Sequence, residues 1–179
     1  MHVDDAVALI RDAVGNATGA WADLGAGTGT FTRALARILG AGSTIYAVDD
    51  DVSAVAALHR FATTSATRII PVRADITRPL ELPGLGDHLL DGILLANSLH
   101  FVPNAERVLM QLAQRVRVGG RVIVVEYDQR APSRWVPYPI HASRWPQVAA
   151  SAGLARAAVT ATRPSAYAGV LYAGVAVRA

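Results

Sequence analysis

Acids and glycines gather at five places in this chain, and each place follows a short apolar run. They are Asp23–Gly29, Asp49–Asp51, Asp75, Asn97–His100 and Glu126–Asp128. The first, Asp23-Leu24-Gly25-Ala26-Gly27-Thr28-Gly29, is a glycine loop. Glycines let a backbone turn sharply and let a ligand come close. A dinucleotide fingerprint has the spacing G-x-G-x-x-G. Here the third glycine comes one residue early, and Thr30 stands where it would be. Asp23 also precedes the loop. A carboxylate there repels a pyrophosphate but suits a ligand carrying an ammonium and a sulfonium.

Asp49 lies 22 residues after Gly27. An acid at the end of a second strand accepts hydrogen bonds from ribose hydroxyls. The other reading of Asp49 is a helix N-cap, although Asp51 is better placed to cap a helix starting at Val52. Asp75, past the third strand, is placed to meet an adenine amino group. His100 has two readings: a general base or substrate ligand near neutral pH, or a packed loop histidine. Glu126, Tyr127 and Asp128 face the same region by position, and Tyr127 joins His100 as a candidate catalytic residue. His141 with Trp135, Tyr138 and Trp145 forms a substrate wall or simply packs its loop. Arg130, Arg134 and Arg144 have two readings, binding of an anionic substrate or solvated surface, and the second is the expected one.

The elements that must hold these residues follow from periodicity. Val7, Ile10 and Val14 mark a helix over 3–14, with Asp4 and Asp5 in its first turn. Strands are expected at Ala20–Leu24, Thr44–Val48, Arg68–Val72, Leu89–Ala96 and Arg121–Val125. Helices lie between them: Thr30–Leu39, one beginning at Val52, and one capped by Asn104. The last has the face Val108, Leu109, Leu112, Ala113 and Val116, and Gly119-Gly120 ends that connection. A helix near Pro146–Ala152, closed by Gly153, precedes two late strands, about Leu154–Thr162 and Gly169–Val177. A short Pro-containing turn joins these two. It leaves no room for a crossover, so they must pair as an antiparallel hairpin. The whole reads as α/β: a doubly wound, mostly parallel sheet with helices on both faces and a C-terminal antiparallel hairpin. In such a sheet ligands bind beyond the C-terminal strand ends, at the switch point. All five polar clusters lie there.

Composition excludes several classes. The chain has 179 residues, 52% hydrophobic and 17% charged, which fits one domain and not a disordered chain. It has no cysteine, hence no disulfide, thiolate metal site or thiol nucleophile. No other metal site is expected either. All 17 basic residues are arginine and the net charge is +3. They are scattered from Arg11 to Arg178, so nucleic acid is not an expected partner. No apolar run approaches the ~20 residues of a membrane span. The acids near Met1 do not fit a signal peptide, and a cytoplasmic location is expected.

The ordered set of pieces resembles the class I S-adenosylmethionine-dependent methyltransferases that act on small molecules. Those pieces are Trp21–Gly29, Tyr46–Asp49, Ala74–Ile76, Asp91–His100 and Val118–Glu126. The resemblance implies a seven-stranded Rossmann-like sheet and S-adenosylmethionine as cofactor, with S-adenosylhomocysteine as product. It implies that Asp23, Gly25, Ala26, Gly27 and Gly29 line the methionine part. Asp49 takes the ribose, Asp50 lies beside the adenine, Asp75 and Ile76 flank that ring, and Asn97 sits near the sulfonium.

The chain departs from the family in two ways. The first strand begins near residue 20, leaving a minimal N-terminal lid on a single domain spanning 1–179. The lid must come from helix 3–14, from 129–146, or from another subunit of a homodimer. Asn97-Ser98-Leu99-His100 also differs from the Asn-Pro-Pro-Tyr of amino-group methylases. The leading expectation is methyl transfer to a small molecule by in-line displacement. The alternatives are a cofactor-binding partner module without turnover and an RNA methyltransferase.

Overall fold

The connections between strands decide where a cleft can open. The computed structural model describes residues 1–166 and 169–179. After helix α1 (Val3–Val14), the chain alternates β1 (Ala20–Leu24), α2 (Thr30–Leu39), β2 (Thr44–Asp49), α3 (Val52–Ala62) and β3 (Arg68–Arg73). It continues through β4 (Leu90–Ala96), α4 (Ala105–Ala113), β5 (Val116–Asp128), α5 (Trp145–Ser151), β6 (Leu154–Pro164) and β7 (Val170–Arg178). The sheet order is β3-β2-β1-β4-β5-β7-β6. β1 to β5 are mutually parallel, whereas β7 runs antiparallel to both β5 and β6. The chain therefore steps outward from β1 to β3 and then returns to β1's other side with β4. That reversal opens a crevice between the C-terminal ends of β1 and β4.

Alternation along each strand feeds two cores. Trp21, Ile45, Leu94, Ile123 and Leu171 face α1, α2 and Leu58 of α3. Ala22, Tyr46, Leu95, Val124 and Tyr172 face α4 and α5. The 77–88 loop has no helix, yet Leu80, Leu82 and Leu85 are buried in this second core. The loop thus covers part of the sheet as a helix would.

Three expectations are corrected. Val116 does not extend the stripe of α4; it opens β5 and pairs with Leu90. Gly119-Gly120 does not end a connection but lies inside β5, where the register shifts between Leu90 and Gly92. A Cβ on Gly120 would lie 2.5 Å from Val116 Cγ1 and 2.9 Å from the Asp91 carbonyl oxygen, so this irregularity needs glycine. Pro164 belongs to β6 rather than to the hairpin turn, and residues 167–168 of that turn lie outside the described residues.

Gly92 is small for a reason of packing. It lies opposite Trp21 of β1, and a Cβ there would be 2.5 Å from two ring carbons of that fully buried indole. Gly92→Ala is expected to cost about 1–3 kcal/mol through overpacking, read as a lower urea midpoint with an unchanged slope.

Candidate functional site

Beyond Leu24 the backbone turns through three left-handed glycines: Gly25 (φ 78°), Gly27 (φ 53°) and Gly29 (φ 90°). Gly25 N–H and Ala26 N–H both donate to the Val48 carbonyl, each at 2.9 Å. This ties the loop to β2. A Cβ on Gly25 would strike Ser98 Cβ at 2.5 Å, and one on Gly29 would meet Arg33 Nη1 and Leu58 Cδ2 at 2.9 Å. Ser98 sits that close because its hydroxyl donates to the Leu24 carbonyl. Around Gly27 a Cβ would meet nothing within 4 Å. The loop is clamped at its ends and open in its middle, where a ligand has room.

Asp49 holds that shape. Its Oδ2 accepts from Gly27 N–H at 2.7 Å and its Oδ1 from Asp51 N–H at 3.0 Å. Each oxygen keeps a lone pair for a further donor. The capping role falls to Asp51, whose Oδ1 accepts from the Ser53 and Ala54 N–H groups and from the Ser53 hydroxyl. The Ser53 hydroxyl, followed by those amides, holds the Asp51 carboxyl below its ordinary range. Asp75 is likewise lowered, mainly by the Thr77 hydroxyl, and its other oxygen lies 3.4 Å from Arg78.

Two buried oxygens have no partner among the described residues. One is Asp23 Oδ1; the other is Asn97 Oδ1. Asp23 is fully buried, and its Oδ2 accepts from the Thr32 hydroxyl at 2.6 Å. Desolvation pushes its carboxyl up to about 7, against the pull of the Thr32 hydrogen bond and with help from Asp49. Asn97 is held at φ 54° while its N–H donates to the Val125 carbonyl.

Three cavities, of about 410, 420 and 500 Å³, meet at Asn97. The first contains Asp23, Gly25, Ala26 and Gly27. Its outer wall comes from Met1 and Asp5 of the N-terminal segment and from Arg163–Ala166 of the hairpin, with Asp5 paired to Arg163 at 2.7 Å. The second contains Gly25, Asp49, Asp50, Asp75 and Ile76. The third contains His100, Phe101, Tyr127, Arg130 and Trp135. Of the residues expected to line the loop, Gly29 alone is not on a cavity wall; it shapes the turn into α2.

His100 is packed and also positioned. It is 2% exposed, and its Nδ1 lies 2.5 Å from Oε2 of the fully buried Glu126. Glu126 Oε1 accepts from the N–H groups of Leu99 and His100. Burial pushes the Glu126 carboxyl up; the His100 ring and these amides pull it back. With Oε1 engaged by two backbone amides, Oε2 orients the imidazole through Nδ1 and leaves the other ring nitrogen clear of Glu126. The pairing was missed in the sequence, where the two residues are 26 apart and share only their place at neighbouring strand ends.

The proposed aromatic wall divides. Trp145 is core: it is fully buried, and its Nε1–H donates to the Val175 carbonyl. Tyr138 and His141 do not line the third cavity, whereas Trp135 does. Phe101, which carried no sequence signal, is on the walls of the second and third cavities, and Ser98, within the Asn97–His100 cluster, is on that of the second. Arg144 pairs with Glu106 at 3.5 Å on the surface. Arg130 is half-buried on the wall of the third cavity.

The glycine cradle, the strand-end acids and the order of strands meet a family description. Residues 22–122 match the model of a methyltransferase domain family. The chain belongs to this family. The chain has the same fold as the CMeT domain of a citrinin polyketide synthase, at 20% identity and TM-score 0.70. That match covers 90% of this chain and 47% of the other, so the chain spans about half of that length. It also shares the fold of an S-adenosylmethionine-dependent methyltransferase from Aquifex aeolicus, with 16% identity, TM-score 0.68, and coverage of 89% and 82%. A third likeness is to the [4+2]-cyclase SpnF, with 15% identity, TM-score 0.75, and coverage of 98% and 81%. No curated protein sequence matches the chain.

S-adenosylmethionine is the family's cofactor, and this site fits it. The open cradle over Gly27 and the unpaired Asp23 oxygen suit an aminoacyl group. The second cavity offers acids to an adenosine. No helix among the described residues is long and apolar enough to cross a membrane.

Proposed function

We propose that this methyltransferase transfers the methyl group to a small molecule held in the third cavity. The observation that carries this reading is the meeting of the three cavities at Asn97. The first two suit the two ends of the cofactor, and the third opens beside their junction.

When bound, S-adenosylmethionine supplies a methyl carbon on a positive sulfur, and the broken bond's electrons leave with that sulfur. Asp49 accepts from the ribose hydroxyls. Asp50, Asp75 and Ile76 border the adenine. Asp23, Gly25, Ala26 and Gly27 hold the aminoacyl end, with Gly29 setting the loop. Asn97, whose Oδ1 has no partner among the described residues, lies on the walls of all three cavities. His100 takes the proton of an acceptor hydroxyl on the ring nitrogen that Glu126 leaves free. Tyr127 borders both the first and third cavities and holds the acceptor against the junction. Positioning of this kind can supply up to ~7–11 kcal/mol.

S-adenosylhomocysteine at 100 times its Kd is expected to stabilise the fold by ~2.7 kcal/mol. That is a rise of roughly 5–10 °C in melting temperature. Asp49→Ala removes most of the rise, because both the ribose acceptor and the anchor of Gly27 are lost. A folded protein with no shift would sink the cofactor reading.

The likeness to a [4+2]-cyclase supports a second reading, in which the cleft serves a reaction without methyl transfer. Formation of S-adenosylhomocysteine during turnover, followed by mass spectrometry, separates the two.

A further inference from the structure

Apart from Arg163, which Asp5 neutralises at the outer wall of the first cavity, the acids and the cations of the cleft are segregated. Asp23 lines the first cavity, and Asp49, Asp50 and Asp75 line the second. No acid lines the third. Its charged member is Arg130, whose guanidinium lies 4.6 Å from the Tyr127 ring centroid. Among the described residues Arg130 has no carboxylate within ion-pair distance and no hydrogen-bond partner from its side chain. Gln129, at φ 51°, turns the chain at the end of β5 just before it.

Around this cation the cavity is aromatic. Phe101 and Trp135 are 54% and 64% exposed, large fractions for such rings, and both line it together with Tyr127. Arg134 stacks over Trp135 at 4.5 Å without itself lining the cavity. A half-buried guanidinium on an aromatic face is a bidentate receptor for a carboxylate, with flat surfaces beside it for a planar ring.

Resting on the methyltransferase reading, we infer that the acceptor is a planar aromatic acid whose carboxylate is bound by Arg130. The neighbouring cofactor strengthens the charge argument. Its sulfonium and Arg130 both repel a cationic acceptor and both attract an anion. Arg130 is thus a specificity-determining residue.

A matched pair of probes tests this: 3-hydroxy-2-naphthoate and its neutral carboxamide, titrated calorimetrically into protein saturated with S-adenosylhomocysteine. The acid is expected to bind about tenfold tighter or more than the amide. Arg130→Gln should erase that preference by weakening the acid, while the amide stays within about twofold. Arg130→Lys should restore part of it, since charge returns without the fork. Equal binding of acid and amide, binding of neither, or an unchanged preference in Arg130→Gln would overturn the inference. S-adenosylhomocysteine binding is measured first in each variant. Its failure counts against the cofactor reading, and the two naphthalene probes are then compared on protein alone by the same criteria.

Discussion

His100→Ala is expected to lower the stability of the fold by about 3–5 kcal/mol, the usual cost of leaving a buried carboxylate without the partner that offset its burial. The reason lies in what stays behind. Glu126 is fully buried, and its Oε2 has the His100 ring as partner. Its Oε1 keeps the Leu99 and His100 amides in the variant, but Oε2 is left in an apolar setting. For a chain of this size the melting temperature should fall by roughly 10–15 °C. Glu126→Gln should cost less, because an amide carbonyl still accepts from the two backbone donors and no bare charge remains. The double variant His100→Ala/Glu126→Gln should recover part of the loss, giving a coupling of about 0.5–3 kcal/mol in a double-mutant cycle. S-adenosylhomocysteine affinity should hardly change, since neither side chain lines the first two cavities. A loss below about 1 kcal/mol in His100→Ala would show that the two groups are not coupled.

That pair also marks the limit of what the sequence discloses. The strands were readable because apolar runs such as Ile93–Ala96 are buried on both faces and carry no ambiguity of period. The strand-end acids were readable because parallel topology places every C-terminal end on one side of the sheet. The pairing of His100 with Glu126 depends on β4 and β5 being neighbours and on the short 3-10 turn at Leu99–Phe101, which directs two amides at one carboxylate. No local pattern encodes that.

Val116 misled for a related reason. It continues the spacing of Leu109, Leu112 and Ala113, yet α4 stops at Ala113 and the chain straightens into β5. Tertiary pairing with Leu90 overrides the helical periodicity. Trp145 misled in another way. Its composition-rich neighbourhood suggested a binding wall, but Gly174 leaves room for its indole, which contributes to the core. The 77–88 loop shows the converse: its prolines and glycines hid three buried leucines.

The Asp23 carboxyl gives the second large effect, and it depends on pH. Its folded-state pKa is raised by burial from an ordinary 3.8 to about 7. Below about pH 4 the folded and unfolded chains both carry the proton, and the group costs nothing. Between about pH 4 and pH 7 the unfolded chain ionises while the folded chain keeps its proton, so stability falls as pH rises. Above pH 7 the loss is complete, on the order of 4 kcal/mol for about three pKa units. Asp23→Asn escapes this loss while still accepting from the Thr32 hydroxyl. The variant should therefore match the parent near pH 4 and exceed it by several kcal/mol at pH 8, read from urea midpoints at each pH. Binding should run the other way. The unpaired Oδ1 borders the first cavity, where the cofactor's ammonium favours the ionised carboxyl. S-adenosylhomocysteine affinity should weaken below pH 7 by up to about tenfold per unit, with proton release measurable by calorimetry in buffers of different ionisation enthalpy. Asp23→Asn should bind weakly and without that slope. A buried acid that destabilises the free protein persists because the ligand's charge offsets its burial. A variant that is more stable at pH 8 and binds as well as the parent would remove that reason.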